Sequence, residues 1–145
     1  MTIKKISPLF LSIILAFLFL DSGYAENEKT DSTNQPQIIK TITIEEAHAI
    51  IENNENNDSV EIIDVRTPEE FNQEHIKDAS NIDYYSDNFK DELNKLDKSK
   101  IYVIHCRSGA RSSQALEIMR ELGFREVYNM GGIIQWKDKG LPTTK

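Results

Sequence analysis

Cysteine is almost absent. Cys106 is the only one in 145 residues, which excludes an intramolecular disulfide. Three scattered histidines beside that one thiol make no metal-ligand set, so no metal site is expected. No segment is rich in lysine and arginine, and 17 basic residues face 24 acidic ones, for a formal charge of -7. An acidic chain without a basic run is a poor binder of nucleic acid or of anionic lipid surfaces. No internal repeat occurs. The longest apolar run covers residues 8–20 and is interrupted only by Ser12. It falls short of the roughly 20 residues that a bilayer-spanning helix needs.

That run follows Lys4 and Lys5 and leads into Gly23-Tyr24-Ala25, which places small residues where a signal peptidase needs them. Residues 1–25 therefore have the layout of a secretory signal peptide cut after Ala25, with an uncleaved anchor as the alternative. The protein is then expected to be periplasmic or secreted, and to meet a membrane only during export. With no cysteine near the cut, lipoprotein processing is not expected. Residues 26–37 (ENEKTDSTNQPQ) carry no apolar side chain and read as a flexible linker. At 39% hydrophobic residues, with a strong apolar pattern from Ile38 onward, the chain is not disordered throughout, and residues 38–145 read as one folded domain. A lone thiol in an exported protein invites oxidation and mispairing, so it needs a reason to be there. The plain reason would be a buried cysteine kept as a small hydrophobe.

Short β-branched runs alternate with helical patterns. Residues 60–65 (VEIIDV) and 101–104 (IYVI) read as strands, 126–129 as a weaker third, and 38–42 and 80–82 as flanking strands. Thr43-Ile44-Glu45-Glu46 is a capping box opening a helix with Ala47, Ile50 and Ile51 on one face. Thr67-Pro68-Glu69-Glu70 is a second, with proline at the first helical position. Phe89, Leu93 and Leu96 mark a third helix. A fourth covers residues 112–122, with Ala115, Leu116, Met119 and Leu122 turned inward, ending at Gly123. This order predicts a single α/β domain with a central parallel sheet and helices on both faces.

In open parallel sheets, sites form beyond the carboxyl ends of the strands. Cys106 stands there, in His105-Cys106-Arg107-Ser108-Gly109-Ala110-Arg111-Ser112-Ser113, between a strand and a helix. A short turn into a helix N-terminus leaves backbone N–H groups pointing inward, and Gly109 permits the tight backbone of such a cradle. Arg107 and Arg111 add two positive charges. One arginine about 7 Å from the sulfur, at an effective dielectric near 20, is worth roughly 2.4 kcal/mol, or about 1.7 pKa units. That would bring an ordinary thiol close to neutrality, so the loop is expected to hold a nucleophile. A thiol enclosed by hydrocarbon, with both guanidinium groups turned elsewhere, would overturn this reading.

Cys-x-x-Gly-x-Arg after a β-branched strand resembles the active-site loop of the single-domain rhodanese (thiosulfate sulfurtransferase) family. Residues 63–71 (IDVRTPEEF) are similar to its N-terminal signature, 75–82 (HIKDASNI) to the stretch that follows, and 128–132 (YNMGG), Trp136 and Gly140-Leu141-Pro142 to its C-terminal signature. Glu74 stands where the family often has glycine, a difference expected to affect only a surface turn. The resemblance implies a rhodanese-like domain whose Cys106 attacks the outer sulfur of thiosulfate or a related donor, releases sulfite, and passes the persulfide sulfur to cyanide or a thiol. It implies that the amides of Arg107, Ser108, Gly109, Ala110 and Arg111 cradle the persulfide while the two arginine side chains attract the donor, with no metal or organic cofactor.

The neighbouring residues are weighed on position. Asp64 and Arg66 read first as a tie at a strand end, with Arg66 also a candidate substrate contact because it too lies at a strand's carboxyl end. His105 precedes the cysteine on the strand, so alternation turns it the other way, as an interior histidine rather than a base. His48 and His75 read as structural or surface residues, and Trp136 with the Gly131-Gly132 turn as packing. Two other functions compete. A Cys-dependent phosphatase or arsenate reductase has a His-Cys-x5-Arg loop, but only four residues separate Cys106 from Arg111, which makes a narrower cradle. A non-catalytic rhodanese-like binding module would not need both Cys106 and Arg111.

Overall fold

The structure is a computed structural model and describes residues 36–55 and 57–145. The expected signal peptide and most of the expected linker lie outside the described residues. Ten elements alternate in chain order: β1 (Ile38–Thr41), α1 (Ile44–Asn53), β2 (Val60–Asp64), α2 (Pro68–Gln73), β3 (Ala79–Asn81), α3 (Phe89–Asn94), β4 (Ile101–Cys106), α4 (Ala110–Glu121), β5 (Glu126–Gly132) and α5 (Ile133–Asp138). The strands form one sheet in the order β1-β5-β4-β2-β3, and every pairing is parallel. The α/β architecture with a central parallel sheet is thus as the sequence predicts.

Both capping boxes form. Thr43 exchanges side-chain and backbone bonds with Glu46, and Thr67 with Glu70, with Pro68 opening α2. Parallel strands must bury both faces, and the alternation along β4 shows how. Tyr102, Ile104 and Cys106 join a core with Phe89 and Leu93 of α3 and Ala115, Leu116 and Met119 of α4. Val103 belongs to the opposite core, with Ile44 and Ala47 of α1 and Ile133 and Trp136 of α5. Fully burying each such Val, Leu or Ile side chain stabilises the fold by roughly 1.5–3 kcal/mol. The same alternation sends the Cys106 thiol toward α4 and the His105 ring away from it.

Several boundaries differ from the expectation. β4 runs two residues further, through His105 and Cys106, because both side chains are buried and the ladder to β2 continues to Asp64 opposite His105. β5, expected to be weak and short, extends to Gly132 beside β4, with a register shift next to Cys106. α5 had no counterpart in the sequence reading. Gln37, assigned to the linker for its polarity, is anchored: its Nε2 donates to the Phe124 carbonyl at 2.8 Å and the Ile38 N–H donates to Arg125 at 2.8 Å. Glu74 does more than shape a turn. Its side chain takes bonds from Lys137 and from the Thr143 hydroxyl, tying α5 and the last residues to the end of α2.

Candidate active site

Cys106 is the last residue of β4, and Gly109 caps α4 three residues later in a left-handed conformation, φ 109°. That φ is open to glycine and strained for other residues, and it folds the loop back over the sulfur. The Gly109 N–H donates to Cys106 Sγ at 3.1 Å, and the Ser112 hydroxyl lies 3.7 Å from it. The sulfur thus sits where the N-terminus of the 12-residue α4 presents its free amides and the positive end of its dipole. Gly132 lets β5 press against this loop. A Cβ there would stand 2.3 Å from the Arg107 carbonyl oxygen and 2.6 Å from the Ser108 Cα.

The electrostatics follow from that geometry. Burial is the largest single influence on the Cys106 thiol and pushes its pKa up. The amide and hydroxyl of Ser112 and the amides of Gly109 and Ser108 together outweigh it, so the thiol lies below its usual range. Ser112 was absent from the sequence-derived set. It carries one hydroxyl proton for three acceptors, Sγ and the carbonyls of Gly109 and Gly131, each carbonyl at 3.1 Å. A thiolate would draw that proton, a charged acceptor making the stronger hydrogen bond. Replacing Ser112 with alanine is therefore expected to raise the midpoint of iodoacetamide alkylation against pH by roughly one to two units, the worth of one bond to a charged group. An unchanged midpoint would mean the backbone alone sets the thiol.

The two arginines of the loop differ in their partners. Arg111 gives two bonds to Glu70, at 2.6 and 3.0 Å, and the side chains are 14% and 28% exposed. The Tyr85 ring lies 5.5 Å from its guanidinium carbon. Its charge is partly cancelled before any substrate arrives, and the amides and a hydroxyl are the largest influences that lower the thiol. Arg107 is exposed and makes no ion pair among the described residues; its carbonyl accepts the Ile134 N–H at 3.3 Å. Ser108, Gly109 and Ala110 form the turn, Ala110 being the first residue of α4.

Arg66, a candidate substrate contact, is placed elsewhere. Its guanidinium donates to both oxygens of Asp64, the shortest bond 2.6 Å, and to the Glu74 carbonyl at 2.6 Å. Asp64 lies on the sheet face of Ile62, opposite the thiol, so Arg66 braces the end of β2. His105 is fully buried on that face, 3.7 Å from Asp64 Oδ2, and burial pushes its pKa down. It is an interior histidine but not a fully satisfied one: Nδ1 lies 3.2 Å from the Cys106 carbonyl, whereas Nε2 has no hydrogen-bond partner among the described residues. His75 stacks on Phe71 at 4.0 Å and pairs with Thr144, and His48 packs edge-on to Trp136.

Among the described residues no group of side chains could hold a metal ion. A cavity of about 750 Å³ opens at the other end of the sheet, beside Val60, Lys100 and Trp136, and does not touch Cys106. The thiol is not enclosed by hydrocarbon alone, although Cys106 is only 1% exposed. Residues 43–139 match the rhodanese-like domain family. The chain belongs to that family. Its rhodanese-like domain is 37% identical over 83 residues to the thiosulfate sulfurtransferase PspE of Escherichia coli, covering 57% of this chain and 77% of that one. It is 38% identical over 86 residues to a sulfurtransferase of Allochromatium vinosum, covering 59% and 78%. A rhodanese-related protein of Thermoplasma volcanium superposes with a TM-score of 0.60 at 28% identity, over 72% of this chain and 97% of the other.

Proposed function

We propose that the protein is a sulfurtransferase that carries a sulfane sulfur as a persulfide on Cys106. The observation that carries this is the sulfur at the end of β4, held by the Gly109 N–H at 3.1 Å with the Ser112 hydroxyl beside it. Such a cradle favours a negative sulfur over a neutral one, whether thiolate or persulfide. The Cys106 thiolate attacks the outer sulfur of thiosulfate; the sulfur–sulfur bond of the donor breaks, and sulfite leaves with the bonding pair. The Cys106 persulfide then yields its outer sulfur to cyanide or to a thiol. With Cys106 only 1% exposed, a donor whose reacting sulfur projects from its charged end suits the site. The relatives named thiosulfate sulfurtransferase and sulfurtransferase support the reaction class. The layout of residues 1–25 supports export to a periplasm or the cell exterior.

Intact-mass measurement after incubation with thiosulfate tests the reading. The wild-type protein is expected to gain one sulfur that a dithiol removes, and to release thiocyanate when cyanide is added. Cys106→Ser is expected to lose both. Wild-type protein that stays unmodified, with no more thiocyanate than the serine variant, would refute the assignment.

A further inference from the structure

Among the described residues, the Nε2 of His105 is the only buried side-chain nitrogen or oxygen without a hydrogen-bond partner. An unpaired nitrogen in a core costs stability, so packing alone does not account for a histidine at this place. The ring is fully buried, and burial lowers its pKa more than Asp64 raises it, which leaves one proton for two ring nitrogens. Nε2 stands 3.7 Å from Asp64 Oδ2, and that carboxylate is already bound by the backbone N–H and the guanidinium of Arg66. Nδ1 stands 3.2 Å from the Cys106 carbonyl oxygen. The proton therefore belongs on Nδ1, which donates it to that oxygen.

The Cys106 carbonyl belongs to the peptide that leaves β4 and opens the loop over the sulfur. A peptide is planar, with its oxygen and its N–H pointing in opposite directions, so a tie on the oxygen fixes the whole plane. The ring lies on the sheet face away from the thiol and draws the oxygen toward that face. Left untied, the carbonyl is free to turn toward Sγ, where its negative end would oppose a thiolate and pull the amides of Ser108 and Gly109 out of line. The tie falls where the ladder between β4 and β5 shifts register, between Ile104 and Cys106, so regular pairing is interrupted beside it.

We infer that His105 is a positioning residue for Cys106: its Nδ1–H holds the Cys106 carbonyl toward the far face of the sheet and so keeps the loop amides aimed at the sulfur. Its bearing on sulfur transfer rests on the sulfurtransferase reading, whereas its bearing on the thiol does not.

The test measures the midpoint of iodoacetamide alkylation against pH, a thermal melt, and persulfide formation from thiosulfate. His105→Leu fills the same space and removes both the donor and the unpaired nitrogen. It is expected to melt no lower than the wild type, yet to raise the alkylation midpoint by about one unit. Below both midpoints, persulfide formation is expected to slow roughly three- to fourfold, because the thiolate fraction falls tenfold and the more basic thiolate recovers part of that. His105→Asn can set an amide N–H where Nδ1 stands but leaves a cavity, so it is expected to melt lower and still recover most of the shift. Stability and reactivity then move in opposite directions, which a residue that only fills the core would not produce. His105→Gln carries its amide toward the place of Nε2, beside Asp64, and is expected to shift the midpoint as leucine does; its contrast with asparagine decides the matter should leucine fail to fold. A midpoint unchanged in both the leucine and glutamine variants, or shifted equally in asparagine and glutamine, would overturn the inference. A midpoint that moves as expected in a protein that forms no persulfide would overturn the sulfurtransferase reading and leave the role of His105 standing.

Discussion

Replacing Gly132 with alanine is expected to slow persulfide formation by roughly 100-fold, the usual consequence of displacing reacting groups by about 1 Å. The added methyl would lie 2.3 Å from the Arg107 oxygen, 2.6 Å from the Arg107 carbonyl carbon and 2.6 Å from the Ser108 Cα. All three are backbone atoms, so no side chain can swing away to make room. Gly132 itself has φ -133° and ψ 151°, which alanine adopts without strain. The loss is therefore steric and falls on the loop that aims its amides at Cys106. Because β5 lies between β1 and β4 and both cores remain filled, the variant is expected to fold. Intact-mass kinetics with thiosulfate, alongside a thermal melt, separate a displaced loop from an unfolded chain. A folded alanine variant that reacts at the wild-type rate would show that the close approach of β5 has no part in shaping the cradle.

Gly132 also shows where sequence reasoning stops. The alternation of β-branched runs with capping boxes was enough to predict the parallel sheet, because both are local signals that the structure kept. The position of Cys106 at a strand's carboxyl end followed from the same pattern. The extent of β5 did not. Its Gly131 and Gly132 read as a turn, and the pairing of Gly132 with Cys106 carries the strand through them. α5 begins directly after those glycines and is only six residues long, so it left too little periodicity to see. Among the site residues, Ser112 looked like an ordinary polar residue near a helix start. The signal available was its place three residues after Gly109, where an N-terminal amide is still free. The charge argument left out the partner of Arg111 for a different reason. Its partner Glu70 is 41 residues away in sequence and had already been accounted for by its capping box. One carboxylate serves both bonds, and no local pattern announces the second.

Asp64→Ala is expected to cost about 3–5 kcal/mol of stability, the usual penalty for leaving one member of a buried ion pair behind. Asp64 is fully buried, the Arg66 side chain is 7% exposed, and the carboxylate accepts the backbone and side-chain N–H groups of Arg66. Without it the guanidinium keeps only the Glu74 carbonyl. For a domain of this size the melting temperature should fall by roughly 12–20 °C. Replacing both residues by apolar ones of similar volume, Asp64→Leu with Arg66→Met, is expected to recover most of the loss, since no charge is then left buried alone. The double variant also decides what Arg66 is for. A brace on the face opposite the thiol can be replaced by packing, so persulfide formation at Cys106 should proceed at close to the wild-type rate. A stable double variant that binds thiosulfate far more weakly would return Arg66 to the substrate mouth.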